Sequence, residues 1–137
     1  MTTIHASAVE ISRRGLLILG PSGAGKSALA LALMGLGARL VADDQVILLA
    51  EGRHLLADCP PAIRGRIEAR GVGILRADPA DPVPLTQVVD LGQAETERLP
   101  PFRTTFLLGL ELPLVLGPME PHLPPALMQL MRGGRCD

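Results

Sequence analysis

The sequence has no tryptophan and no tyrosine, and its only phenyl rings are those of Phe102 and Phe106. A core must therefore come from Leu, Val, Ile, Ala and Met, and the stacking platforms that hold single-stranded nucleic acid are missing. Charge of one sign is missing too: a formal net charge of -1, with 20% charged residues, leaves no basic field for nucleic acid or an anionic membrane. Two cysteines, Cys59 and Cys136, give neither a disulfide framework nor zinc-ligand spacing, and they suit a reducing compartment. No run of about 18 apolar residues occurs, so no membrane span is expected. Ser12-Arg13-Arg14-Gly15 ahead of Leu16-Leu17-Ile18-Leu19 imitates a twin-arginine export signal. The apolar run stops at Gly20 and Lys26 interrupts the next stretch, so the expected location is cytoplasmic.

What is present is organised around Gly20-Pro21-Ser22-Gly23-Ala24-Gly25-Lys26-Ser27, which satisfies G-x-x-x-x-G-K-[ST]. An apolar run, Leu16 to Leu19, precedes it and an Ala/Leu-rich run comes after it, so the stretch reads as strand, phosphate loop and helix. Glycines let backbone N–H groups curl around phosphates, Lys26 brings a positive charge near the β- and γ-phosphates, and the Ser27 hydroxyl can ligate Mg²⁺. The dipole of the helix that starts there favours the anion. With 137 residues the chain is expected to form a single α/β domain, a P-loop kinase domain with a central mixed sheet and flanking helices.

In chain order, Ile4 to Ile11 and the strand entering the loop read as a hairpin across Ser12-Arg13-Arg14-Gly15. Residues 27 to 36 form the helix, stopped by Gly35 and Gly37. Ala38 to Ala42 is a short strand, Gln45 to Ala50 and His54 to Ala57 are a second hairpin, and Pro60-Pro61 opens a helix expected to run to about Ala69. Leu85 to Leu91, Phe106 to Leu110 and Leu112 to Leu116 read as strands, and Pro125 to Met131 as a terminal helix with a tail, about 133–137, that frays. The thirteen prolines, many beyond residue 78, break this later part into short pieces.

Asp43-Asp44 ends the strand from Ala38, as a Walker-B-like site requires: one acid assists Mg²⁺ and its neighbour accepts a proton. Adjacent strand residues face opposite sides, so both can serve one site only if the backbone turns there. Glu68 and Arg70 bracket a glycine-rich loop and can add a metal ligand and a phosphate contact.

These stretches together resemble the catalytic domain of the HPr kinase/phosphorylase family. His5 matches its active-site histidine, Gly20 to Ser27 its nucleotide site, and Arg39-Leu40-Val41-Ala42-Asp43-Asp44 the strand with its catalytic acid. Glu68-Ala69-Arg70-Gly71-Val72-Gly73-Ile74 is similar to its signature loop, and Glu97-Arg98-Leu99 resembles an Asp-Arg-Leu carrying a catalytic arginine. The chain departs from that pattern at Pro21, where Asp is usual, and at Ala69, where a branched residue is usual. By the resemblance it is expected to be a short form, without the separate N-terminal domain of long members, and a proline-rich stretch from Asp78 replaces a glycine-containing loop.

The resemblance implies phosphoryl transfer from ATP·Mg²⁺ to a serine of HPr and assembly as a homo-hexamer. Ser27 and Glu68 would hold magnesium with Asp43 assisting, Lys26, Arg70 and Arg98 would meet phosphate charge, Asp44 would take the hydroxyl proton, and His5 would orient that acid or a phosphate. The family's phosphorolytic reverse reaction goes with a late loop like Val-Pro-Val-Lys-Val-Gly-Arg-Asn. Here Leu112-Pro113-Leu114-Val115-Leu116-Gly117-Pro118-Met119 stands in its place without the Lys or the Arg, so phosphorylase activity is expected to be weak or absent. Three other classes share the loop: a guanylate-kinase-like nucleotide kinase, for which the chain is short; an ABC-type ATPase, whose Leu-Ser-Gly-Gly-Gln-like signature is absent; and a nucleotide-binding regulatory module, against which the acids and Arg98 argue.

Overall fold

A computed structural model describes residues 1–137. Strands β1 (Thr2–His5), β2 (Ser7–Ile11) and β3 (Arg14–Leu19) lead into helix α1 (Lys26–Gly35). Next come β4 (Arg39–Ala42), β5 (Gln45–Glu51), β6 (His54–Asp58), β7 (Arg66–Ala69), β8 (Gly73–Arg76), β9 (Val83–Ala94), β10 (Arg103–Leu107), β11 (Leu110–Gly117) and α2 (Leu123–Gly133). The main sheet runs β1-β5-β6-β9-β3-β2-β4, with β11 joining β9 and β10 joining β11, while β7 and β8 form a separate two-stranded sheet. It is mixed: β3 and β11 run parallel to β9, and the hairpin pairs are antiparallel.

Period-two alternation divides the core. Val9, Leu16, Ile18, Leu40, Val89 and Leu91 turn toward Leu29, Ala30 and Leu33 of α1 and Leu127, Met128 and Met131 of α2. Ala8, Leu17, Val41 and Val88 turn the other way, onto Val46 and Leu48 of β5 and Leu55 and Ala57 of β6. Both helices thus cover one face, and the curl of the sheet through β1, β5 and β6 covers the other. Burial on both faces is why β3 reads as an unbroken apolar run.

Three expected elements differ. No helix reaches Ala69. A single 3₁₀ turn spans Pro61–Ile63, after which Gly65 at φ 72 resets the backbone and β7 begins. A Cβ at Gly65 would lie 3.2 Å from the Ala77 carbonyl oxygen, so the close approach there requires glycine. The alternation of exposed Arg66, buried Ile67, exposed Glu68 and buried Ala69 has the strand period. The strand expected over Phe106 to Leu110 is instead a hairpin, with Leu107 paired to Leu110 and Leu108 and Gly109 at φ 47 and 78. Positive φ at both central residues matches the right-handed twist of the flanking strands. The stretch from Ile4 to Ile11 is two strands, because at Ala6 the chain leaves the edge beside β5 and crosses to pair with β3 and β4. At the C-terminus, where fraying is expected, Arg135 donates to the Pro100 carbonyl oxygen at 2.7 Å and stacks 4.0 Å from the centre of the Phe102 ring.

Candidate active site

At one end of the sheet, the β3–α1 loop, the β1–β2 junction, the bend after β4 and the tip of the β7–β8 hairpin surround a cavity of about 710 Å³. Its wall includes His5, Ser7, Ser22, Gly23, Gly25, Lys26, Ser27, Asp44, Glu68, Arg70 and Val72, with Leu31 and Ala32 of α1.

Gly20, Gly23 and Gly25 take φ of 148, 85 and 102, values that side-chain-bearing residues avoid. Gly25 precedes α1 with no side-chain cap, and no acidic residue lies in the first turn. Within the loop the Ala24 amide donates to the Pro21 carbonyl, while the amides of Gly23, Gly25, Lys26 and Ser27 find no acceptor in the chain. An uncapped helix start with free amides is suited to an anion. Lys26 is the chain's only lysine. It is buried, and its Nζ donates to the carbonyl oxygens of Gly20 at 2.7 Å and Pro21 at 3.1 Å.

The two adjacent acids have opposite surroundings. Asp43 is 7% exposed; its Oδ1 accepts from the hydroxyls of Ser7 at 2.8 Å and Ser27 at 2.7 Å, and its Oδ2 from the Glu68 amide at 3.2 Å. Asp44 lines the cavity, and its Oδ1 lies 2.9 Å from His5 Nε2. Asp44 lies at φ 73, so the backbone does turn here and the strand rule on opposite faces no longer applies. The pairing of His5 with Gln45 between β1 and β5 sets the imidazole beside the residue that precedes β5.

His5, Lys26, Ser27, Asp43, Asp44, Glu68 and Arg70 are thus brought together. Arg98 is not: it is exposed, outside the cavity wall, on the segment after β9. That segment is clamped by Arg103, which bonds both oxygens of Glu95 at 2.8 and 2.9 Å and reaches Glu97 at 3.4 Å. The Arg103 guanidinium pulls the Glu95 carboxyl down to about 2, and Glu95 in turn raises the Arg103 pKa. Ser7 is a site residue that sequence reasoning missed; it and His5 line the cavity from the two sides of the break at Ala6. Met119 was missed as well; its Cβ lies 3.2 Å from where a Gly25 Cβ would stand, which brings the segment after β11 against the loop.

No three His, Cys, Asp or Glu side chains converge as a ready-made metal cage. The oxygen donors of Ser27, Asp43 and Glu68 fit the sparse protein share that Mg²⁺ takes beside phosphate ligands.

The family model for the HPr Serine kinase C-terminal domain matches residues 1–79. HPr kinase/phosphorylase 1 of Oceanobacillus iheyensis is 47% identical over 75 residues, 54% of this chain and 24% of that protein. The HPr kinase/phosphorylase of Chlorobium phaeobacteroides is 35% identical over 130 residues, 85% of this chain and 38% of that protein. The chain therefore spans 24 to 38% of the length of these two relatives. The solved structure of the Hpr(Ser) kinase/phosphatase from Coxiella burnetii superposes with a TM-score of 0.82 at 31% identity, covering 96% of this chain and 95% of that one. No helix is long and apolar enough to cross a membrane. On the match over residues 1–79 and the likeness of the whole fold, the chain belongs to the HPr serine kinase family.

Proposed function

We propose that this domain transfers the γ-phosphoryl group of ATP to a seryl hydroxyl of an HPr-type phosphocarrier in the cytoplasm, as part of a homo-oligomer. The observation that carries the reading is the division of labour between the two acids: Asp43 tied to Ser27, and Asp44 paired with His5 in the same cavity. A carboxylate bonded to the loop serine is placed for metal assistance, whereas one that is open to the cavity and oriented by an imidazole is placed to accept a proton.

The loop from Gly20 to Ser27 binds the triphosphate through its amides. Lys26 exchanges the Gly20 and Pro21 carbonyls for phosphate oxygens, and Arg70 adds charge at the rim. Asp44 takes the seryl proton while His5 holds the carboxylate in position. Ser27, Asp43 and Glu68 would hold Mg²⁺, which supplies charge neutralisation on the phosphates. Arg98 would have to reach the transferring group from outside the cavity wall, through movement of its segment or from a neighbouring copy.

Phosphorolysis is weak in this reading. Val115 and Pro118 stand where the resemblance expects Lys and Arg, and each charge-assisted bond lost from free phosphate is worth about 1.5 to 3 kcal/mol. The test incubates the protein with γ-labelled ATP, Mg²⁺ and HPr, and tracks acid-stable label on serine. Lys26→Ala should lower the rate by about 10²- to 10³-fold or more. Supplied with phosphoseryl-HPr and phosphate, the protein should release pyrophosphate far more slowly than it phosphorylates. ADP formation stimulated by a nucleoside monophosphate, with no labelled protein, would replace the reading with a nucleotide kinase.

A further inference from the structure

The β7–β8 hairpin breaks a local rule. Its register sets Arg66 directly opposite Arg76, and like charges in directly opposed positions weaken a two-stranded ladder. No carboxylate lies within ion-pairing distance of them: the arginine ion pairs of the molecule belong to Arg39, Arg64 and Arg103, and Arg66, Arg70 and Arg76 have none. Buried Ile67 and half-buried Leu75 tie the hairpin to the core, which leaves its other face free. On that face Ile74, opposite Glu68, is 66% exposed, and Val72 at the tip is 74% exposed. Glu68, Arg70 and Val72 also line the cavity, so the surface runs from the unpaired arginines into the candidate active site.

We propose that this outer face is the docking surface for the acceptor protein, and that the segment it receives is acidic with an apolar patch at its centre. The inference rests on the kinase reading and deepens it by naming the chemistry of the substrate's contact region. Unpaired cations select acidic residues and steer encounter, while the two aliphatic side chains between them need an apolar counterpart to leave water. A nucleic acid would use the cations and leave Val72 and Ile74 without a partner.

The test measures steady-state transfer to HPr by wild type, Arg66→Glu/Arg76→Glu and Ile74→Ser. The charge reversal should raise KM for HPr by about tenfold, with kcat and KM for ATP unchanged. Salt should raise the wild-type KM and leave that of the reversed variant flat. Ile74→Ser should raise KM for HPr without altering its salt dependence. Arg66→Gln/Arg76→Gln keeps the test valid if the reversal disturbs folding; it should raise KM for HPr and leave Tm equal or higher, because a repulsive pair is removed. An unchanged KM for HPr overturns the docking surface and spares the kinase. A parallel rise in KM for ATP overturns it in favour of nucleotide contacts, and a sharp fall in Tm in favour of a structural role. No label on HPr with wild type overturns both readings.

Discussion

Residues 1–79 and residues 80–137 hold the molecule together in different ways. All the side chains that wall the cavity come from the first part, where several are fixed by polar geometry: two hydroxyls and an amide on Asp43, an imidazole on Asp44, and two carbonyls on Lys26. The second part contributes β9 beside the loop strand, β11 on the other side of β9, and α2 packed against α1, chiefly through buried Val, Leu and Met. Polar geometry tolerates few side chains at a position, whereas many apolar sequences of similar volume fill the same space. The family model matches the first part alone, in keeping with this division.

Asp44→Asn should cause the largest loss within the acid pair, about 10²- to 10⁴-fold in kcat, with ATP binding retained. Asp43→Asn should cost about tenfold in kcat and raise the Mg²⁺ requirement. An amide facing two hydroxyls and a backbone N–H also leaves a buried mismatch of about 1 to 3 kcal/mol, readable as a lower Tm. If Asp43→Asn shows the base defect instead, the two roles are exchanged. Arg98→Ala probes the second part's only proposed catalytic group; a several-fold fall in kcat is expected, and wild-type turnover would confine the chemistry to the first part.

The smallest effect concerns stability. Glu95 titrates at about 2 rather than 4.5, a folded value depressed below the unfolded one. Its bond to Arg103 therefore stabilises the fold fully above pH about 4.5 and is lost as pH falls toward about 2. Thermal melts of Glu95→Gln should run below wild type at neutral pH and converge with it in acid. Coincident curves at neutral pH would show that the clamp adds nothing.

The strand, glycine-rich loop and helix were legible because a local motif and local periodicity agree there, and Asp43-Asp44 because the acids end an apolar strand. The hairpin from Arg66 was not, because Pro60-Pro61 signals a helix and the decisive residue is Gly65, pressed against a carbonyl supplied by Ala77. The turn at Leu108 was hidden by a bulky residue at positive φ, where glycine or asparagine would have announced it. Ser7 carries no motif of its own, and its role depends on Asp43, which is 36 residues away. The position of Arg98 is set by the Glu95–Arg103 clamp, an interaction that no nearby residue pattern signals. Both helices lie on one face because the sheet curls over its own other face, a property of the whole topology.

Lys26 has a consequence for chemical labelling. As the only lysine, it is the single side-chain amine an acylating reagent can modify, and the N-terminal amine is the one other target. Its Nζ is held by the Gly20 and Pro21 carbonyls, so only molecules in which those bonds have opened present a reactive nitrogen. The rate at which the intact protein gains a second acyl mass therefore reports release of Nζ from those carbonyls, and a bound triphosphate that claims the same nitrogen should slow that gain. One residue thus makes occupancy of the loop measurable by weighing the whole protein, without a fluorophore or an engineered label.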